Sequence, residues 1–387
     1  MNDSKIATEI YIHIPFCVKK CAYCDFLSFA GNDEMKHRYV SALIYEIEHR
    51  VYKPKIDEVT SIFIGGGTPS ILQFDEIERI IHAVRRRYRI LPRAEVTIEV
   101  NPGTVDYKML REMHELGINR LSIGLQSTNN EELKLLGRIH SYEEFLATYD
   151  AAREAGFTNI NIDIIGALPT QKVASWRETV TKVAELRPEH ISAYSLIIEE
   201  GTRFYALYSD DEARRQRGEK PLALPTEEEE REMDRITKEV LESYGYHRYE
   251  ISNFALPGFE CEHNKGYWTR KNYIGFGIGA AGLLEGIRYQ NGKDIMHYIE
   301  AGPDISEQML TRKDEVEEYM FLGLRMDRGI SMREFERIHN IPFRDVYGEV
   351  TDSLERDGLV EVDGDIIRLT EHGRDISNYV LSEYIIG

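Results

Sequence analysis

Cysteine is scarce in this chain: there are four in 387 residues, and three of them crowd together at Cys17, Cys21 and Cys24. So few thiols exclude a disulfide framework and fit a reducing compartment. Positive charge is also in deficit. Lys and Arg total 48 against 67 Asp and Glu, for a net charge of −19. That balance argues against a general nucleic-acid binder, which carries a basic face, and against an extended polybasic membrane patch. No apolar run approaches the length of a transmembrane helix, and the stretch from Met1 to Ile10 holds no apolar signal region. The expectation is a soluble, cytoplasmic protein with no integral membrane segment, peripheral membrane contact being left open.

What the chain does have is enough apolar residue, 42%, for one large domain and a smaller one. Short apolar runs at Ile10–Ile14, Ser61–Ile64, Val96–Val100, Leu121–Leu125, Ile160–Ile164 and Ile191–Leu196 read as strands. Amphipathic stretches between them, such as Phe74–Tyr88 and Ser175–Leu186, read as helices. Apolar strands alternating with helices imply βαβ units and a parallel sheet. Six units predict an α/β fold of the partial (β/α)6 barrel type. Nearly every notable polar residue falls at the C-terminal end of a strand, where barrels build their sites.

The expected division is a barrel over 1–225, an extension over 226–303 and a C-terminal domain over 304–387. A charged stretch from Ser209 to Lys220 reads as a surface loop or exposed helix, and Thr226 before Glu227–Glu230 reads as a capped helix start. The C-terminal part runs helix, helix, helix, then a ribbon of Leu359–Val362 and Ile366–Leu369 turned at Asp363-Gly364-Asp365. This pattern is mainly helical and winged-helix-like. Its candidate DNA-reading stretch, Arg344–Asp357, sets two arginines against five acids, the wrong sign for phosphate contact. A lid or a docking role fits better, and a transcriptional sensor is disfavoured.

The three clustered cysteines have C-x3-C-x2-C spacing. Three closely spaced thiolates hold three irons of a [4Fe–4S] cluster and leave the fourth open. In this spacing the open iron binds S-adenosylmethionine through its methionine amine and carboxylate, and the cofactor carries the hard chemistry. Zinc or a loop of free thiols is the plain alternative, but zinc wants a fourth Cys or His at matched spacing, and none follows nearby. Gly65-Gly66-Gly67-Thr68-Pro69 follows a strand and lets backbone approach a ligand. It is no phosphate loop, because no Gly-Lys-Ser/Thr follows. An ordinary strand–helix turn is the other reading. Tyr11 and His13 share one strand face. His13 is a core histidine or a supporting, proton-handling group beside Cys17. Tyr23, inside the cysteine loop, shelters the cluster or stacks on adenine.

Taken together, Tyr11-Ile-His13-Ile-Pro15-Phe16-Cys17, Cys21-x-Tyr23-Cys24-Asp25-Phe26, the Gly65–Pro69 segment, Glu99-Val-Asn101-Pro102, Gln126-Ser127, Asp163 and His263-Asn264-x-x-Tyr267-Trp268 resemble the radical S-adenosylmethionine branch of the anaerobic coproporphyrinogen III oxidases. Within that branch they are most similar to the HemW-type heme chaperones. The resemblance runs from Tyr11 almost to the C-terminus. It implies that Gly66, Gly67 and Thr68 meet the methionine part of S-adenosylmethionine and that Glu99 accepts from the ribose hydroxyls. It also implies that Gln126, Arg138 and Asp163 match positions holding a second S-adenosylmethionine in the oxidases, although Arg138 alone also reads as a surface charge.

Two departures separate the chain from the oxidases. Their further cysteine after the cluster motif is Phe26 here, and only ten residues precede Tyr11. The His263–Trp268 segment resembles the heme chaperone signature. His is a common axial heme ligand and Tyr an occasional one, and Tyr267 and Trp268 offer flat apolar surface. A helix start packing its aromatic residues is the alternative. Cys261 reads as a buried, inert thiol. The resemblance therefore implies a heme chaperone with a [4Fe–4S] cluster and S-adenosylmethionine. Its implied partners are heme, an acceptor protein and an electron donor for the cluster. The alternative is oxygen-independent oxidative decarboxylation of coproporphyrinogen III. Catalytic residues are not assignable from the sequence, nor is it settled whether the chain is an enzyme.

Overall fold

The structure is a computed structural model describing residues 6–52 and 55–386; the first five of the leading residues inspected above for a signal region lie outside the described residues. Six parallel strands, β1 (Ala7–Ile14), β2 (Glu58–Gly66), β3 (Ile90–Val100), β4 (Arg120–Gln126), β5 (Ile160–Gly166) and β6 (His190–Ser195), stand side by side in chain order. Between them run α1 (Asp33–His49), α2 (Phe74–Arg87), α3 (Tyr107–Glu115), α4 (Asn130–Leu136), α5 (Tyr142–Glu154) and α6 (Val173–Glu185). Each strand sends isoleucine or leucine out to these helices. Ile12, Ile64, Ile98, Leu121 and Ile160 form one laddered row across five strands, and each is at most 1% exposed. The alternate positions point inward, as the period-2 pleat requires. They are polar: Glu9, Ser61 and Glu95 make one rung of the inner face. Glu99, Ser122 and Asn161 make another.

The sheet is a partial barrel and does not close. Past β6 it continues antiparallel into β8 (Asn253–Ala255) and β7 (His247–Arg248). Past β1 it continues through β9 (Tyr273–Phe276), β10 (Ala281–Leu284), β11 (Ile287–Asn291) and β12 (Ile305–Met309). The charged stretch at Ser209–Lys220 is largely helical, within α7 (Arg203–Gln216). Asp211 on α7 accepts from the backbone N–H groups of Leu222, Ala223 and Leu224. Thr226 does cap α8 (Glu227–Ser243), in a reciprocal box with Glu229. The base of the barrel is plugged by α9 (Glu262–Trp268), which packs on β2.

After α10 (Ile295–Ala301) the chain enters a second apolar core built on Phe335, Phe343, Leu354, Ile367 and Tyr384. Helices α11 (Arg312–Gly323), α12 (Met332–His339) and α13 (Phe343–Arg356) surround the ribbon of β14 (Val360–Asp363) and β15 (Ile366–Leu369). A short strand missed in the sequence, β13 (Ile330–Ser331), pairs with β15. Both arginines of α13 bond within their own helix, Arg344 to Asp352 and Arg356 to the carbonyl of Asp352. No described helix is long and apolar enough to cross a membrane.

Candidate functional site

The cysteines lie in the loop after β1, and that loop is tied down at several points. Cys17 N–H donates to Phe29 O at 3.0 Å and Phe29 N–H to Pro15 O at 2.9 Å. Ala22 bonds Leu136 O and accepts from Phe204 N–H. Phe16 anchors the whole loop edge-on against Phe29 and Tyr39. All three thiols are free and partly exposed, and all three line one cavity of about 370 Å³ at the C-terminal mouth of the barrel. Thr68 Oγ1 donates to Cys17 Sγ at 3.5 Å and Arg138 Nη1 to Cys21 Sγ at 3.6 Å, so both sulfurs face donors that favour thiolate. Among the described residues no three Cys, His, Asp or Glu side chains converge on a single-ion position. A cluster does not ask for that, because each thiolate takes a different iron.

The glycine segment is shaped by its neighbours in the chain. Gly66 has φ +114°, and a Cβ there would stand 2.5 Å from the His13 ring; one at Gly67 would stand 2.6 Å from Phe16 O. His13 is held by Tyr11 Oη at 3.0 Å and by Leu27 O at 2.9 Å, and burial lowers its pKa. Tyr11, expected to touch the cofactor, is one rung below the cavity and reaches it only through His13. Tyr23 does line the cavity and leans on Phe204.

Around the wall, Glu99 accepts from Gly66 N–H at 2.9 Å. Burial, with Asp163 adding to it, pushes the Glu99 carboxyl up to about 7, against the Gly66 bond. Asp163, also raised by burial, accepts from Asn161 at 2.8 Å and Ser122 at 3.1 Å. Arg138 is no free surface charge: it bonds Gly124 O at 2.7 Å and Asn101 Oδ1 at 2.5 Å besides Cys21. Its Nε is buried without a partner, which leaves a donor for a bound group. Gln126 ends β4 at φ 74°, an uncommon conformation for a side chain with a Cβ and one that marks functional turns. Asn101 was passed over as a site residue, yet it also donates to Thr68 Oγ1 at 2.7 Å and so joins the glycine turn to Arg138. Tyr194, 41% exposed on the rim, carried no sequence signal beyond its place near a strand end. Phe26 is 64% exposed on the same rim.

The His263–Trp268 segment lies at the opposite end. His263 is 1% exposed. Its Nδ1 bonds Ser61 Oγ at 2.8 Å, its Nε2 bonds Tyr267 Oη at 3.0 Å, and its ring stacks on Phe63. Burial and the charge of Arg120 hold its pKa down at about 3, so it is neutral. A Cβ at Gly266 would collide with the Glu9 carboxylate at 2.0 Å. Glu95 accepts from Cys261 Sγ and from the N–H groups of Glu262 and His263, fastening the start of α9. Cys261 is fully buried, and burial raises its thiol pKa, as expected of an inert thiol. The structure thus encloses His263 and Tyr267. Only Trp268 reaches a cavity, on the side of the C-terminal domain.

Residues 11–183 match the radical SAM superfamily and residues 310–376 the HemN C-terminal domain. The heme chaperone HemW of Lactococcus lactis is 36% identical over 379 residues, covering 97% of each chain. The chain belongs to the HemW family. Escherichia coli HemW is 33% identical over 97% of this chain and 98% of its own. Among solved structures, the radical SAM enzyme coproporphyrinogen III oxidase (HemN) of Escherichia coli superposes with a TM-score of 0.83 at 27% identity, covering 98% of this chain and 90% of that one. The relation to HemW therefore spans both the cysteine mouth and the plugged base. The superfamily implies a [4Fe–4S] cluster and S-adenosylmethionine.

Proposed function

We propose that this protein binds heme and passes it to an acceptor protein, in the cytoplasm. We further propose that its cysteine mouth holds a [4Fe–4S] cluster and S-adenosylmethionine. The observation that carries the reading is the end-to-end relation to HemW heme chaperones, joined to the aromatic Phe26 where the resembled oxidases place a cysteine. When reduced by an electron donor, a cluster of this kind supplies the electron that cleaves S-adenosylmethionine.

The residues divide the work. Cys17, Cys21 and Cys24 take three irons, with Thr68 and Arg138 donating to two of the sulfurs. The turn at Gly66, Gly67 and Thr68 presents backbone to the methionine part, and His13, steadied by Tyr11, holds that turn in place. Glu99, short of donors, gains ribose hydroxyls, which favour its ionised form. Gln126, Arg138 and Asp163 close the far wall, and Tyr23 shelters the cluster. On the heme side Trp268 supplies a ring face, while His263 and Tyr267 fix the helix that carries it.

Coproporphyrinogen III oxidation is the competing reading, since the HemN structure superposes so closely. Anaerobic incubation of the reconstituted protein with heme and, separately, with coproporphyrinogen III decides between them. Heme binding without decarboxylation supports the chaperone. Conversion of coproporphyrinogen III to protoporphyrinogen IX overturns it.

A further inference from the structure

A second cavity of about 370 Å³ opens where the barrel base meets the C-terminal domain, away from the cysteines. Its lining includes Trp268 and Arg270 on one side and Tyr319, Met326, Arg328 and Ile338 on the other. Three observations point to a ligand. Trp268 is held face-on by Arg325 at 4.5 Å, and its indole N–H is buried with no acceptor. The opposite wall is apolar, and Ile338 is left 48% exposed at the rim. The charges differ in kind. Arg270 is committed to Glu318 at 3.0 Å and Arg325 to the Trp268 ring, whereas Arg328 is exposed with no ion pair among the described residues. In a chain of net charge −19, an uncommitted arginine at the mouth of an aromatic, apolar slot selects a flat apolar molecule with a carboxylate on its edge.

Resting on the heme-carrying reading above, we infer that heme lies in this slot between Trp268 and the C-terminal domain, with a propionate on Arg328. The C-terminal domain then forms half of the heme site. The slot spans two bodies tied by a few contacts, among them Arg374 to Asp327 at 2.6 Å and Asp327 N–H to Tyr249 O at 2.9 Å. Parting them removes one wall, which is a route to release.

The test is an optical titration of the full-length protein with heme, alongside fluorescence titration with iron-free protoporphyrin IX and its dimethyl ester. Arg328→Glu is expected to weaken heme and protoporphyrin IX by about tenfold, as loss of a charge-assisted hydrogen bond does. It should leave the uncharged ester unaffected. Trp268→Ala is expected to weaken all three by about thirtyfold, in line with loss of a buried aromatic anchor. The Cys17/Cys21/Cys24→Ala variant should bind heme as wild type does. If wild type binds heme and both Arg328→Glu and Trp268→Ala keep its affinity, the slot is wrong while the chaperone reading stands. If the cysteine variant alone loses heme, the site belongs at the cysteine mouth. If wild type binds neither heme nor protoporphyrin IX, both readings fall.

Discussion

The two ends of the barrel are built from the same six strands and behave as opposites. At the C-terminal mouth, inward-facing groups stop short of one another: Glu99 has one backbone donor, Arg138 keeps a free Nε, and the three thiols have no covalent partner. At the base, the same columns of inward residues are capped by α9, and His263, Tyr267, Ser61 and Glu95 satisfy each other. A buried polar group without a partner is costly. A mouth that keeps such groups is prepared for a ligand, whereas a base that pairs them is prepared to stay shut. The difference assigns chemistry to one end and support to the other, although both carry motif residues.

The sharpest test of that division removes the mouth alone. Replacing Cys17, Cys21 and Cys24 by Ala should abolish the cluster, about four irons per chain in reconstituted wild type, while the melting temperature of the unreconstituted protein stays close to wild type. Full iron content in the variant would sink the assignment. The base is broken by Gly266→Ala, whose methyl group collides with the Glu9 carboxylate, or by His263→Ala, which strips two buried hydrogen bonds. Each should cost about 3 kcal/mol, read as a fall in melting temperature with cluster iron retained. Equal stability would mean that the plug is not structural.

Glu99→Ala sharpens the mouth. It should weaken S-adenosylmethionine binding by about tenfold or more with the cluster intact, measured by anaerobic calorimetry; unchanged affinity removes Glu99 from the site. The smallest expected effect is a pH dependence at the base. Burial raises the Glu9 carboxyl to about 8, against the pull of Lys271 and with a push from Glu95. Its ordinary value is 4.5, so between these values the unfolded chain has given up a proton that the folded one retains. Stability from this group is full below pH 4.5 and falls as pH rises to 8. Glu9→Gln should therefore stabilise by about 1 kcal/mol at pH 8 and by less at pH 5. Thermal melts at the two pH values that show the same difference would refute the shift.

The fold was largely legible. Each of the six apolar runs marks one of β1 to β6, because a parallel barrel packs isoleucine outward on every strand. The Asp363-Gly364-Asp365 turn located the ribbon. The edge strands β7 to β13 were not foreseen: several are two to five residues long and owe their pairing to tertiary neighbours rather than to pattern. At the mouth, glycines and cysteines announced themselves by spacing. Asn101 did not, because its role depends on Arg138, which is distant in sequence. The base was misjudged most. His263 and Tyr267 carry heme-ligand chemistry in their side chains, but the sequence could not say that Ser61 and Phe63 would enclose them. A usable signal did exist: Glu9, Glu95 and Arg120 are charged residues at strand positions whose neighbours are apolar, the mark of a polar column on a buried face.

Gly266 under Glu9 has a consequence beyond stability. A helix seated that closely leaves the barrel with a single doorway, so dioxygen, solvent and cofactor must all use the passage beside Phe26 and Tyr194. Traffic through one doorway is mutually exclusive. Whatever stands in it governs how long the iron and sulfur behind it survive in air.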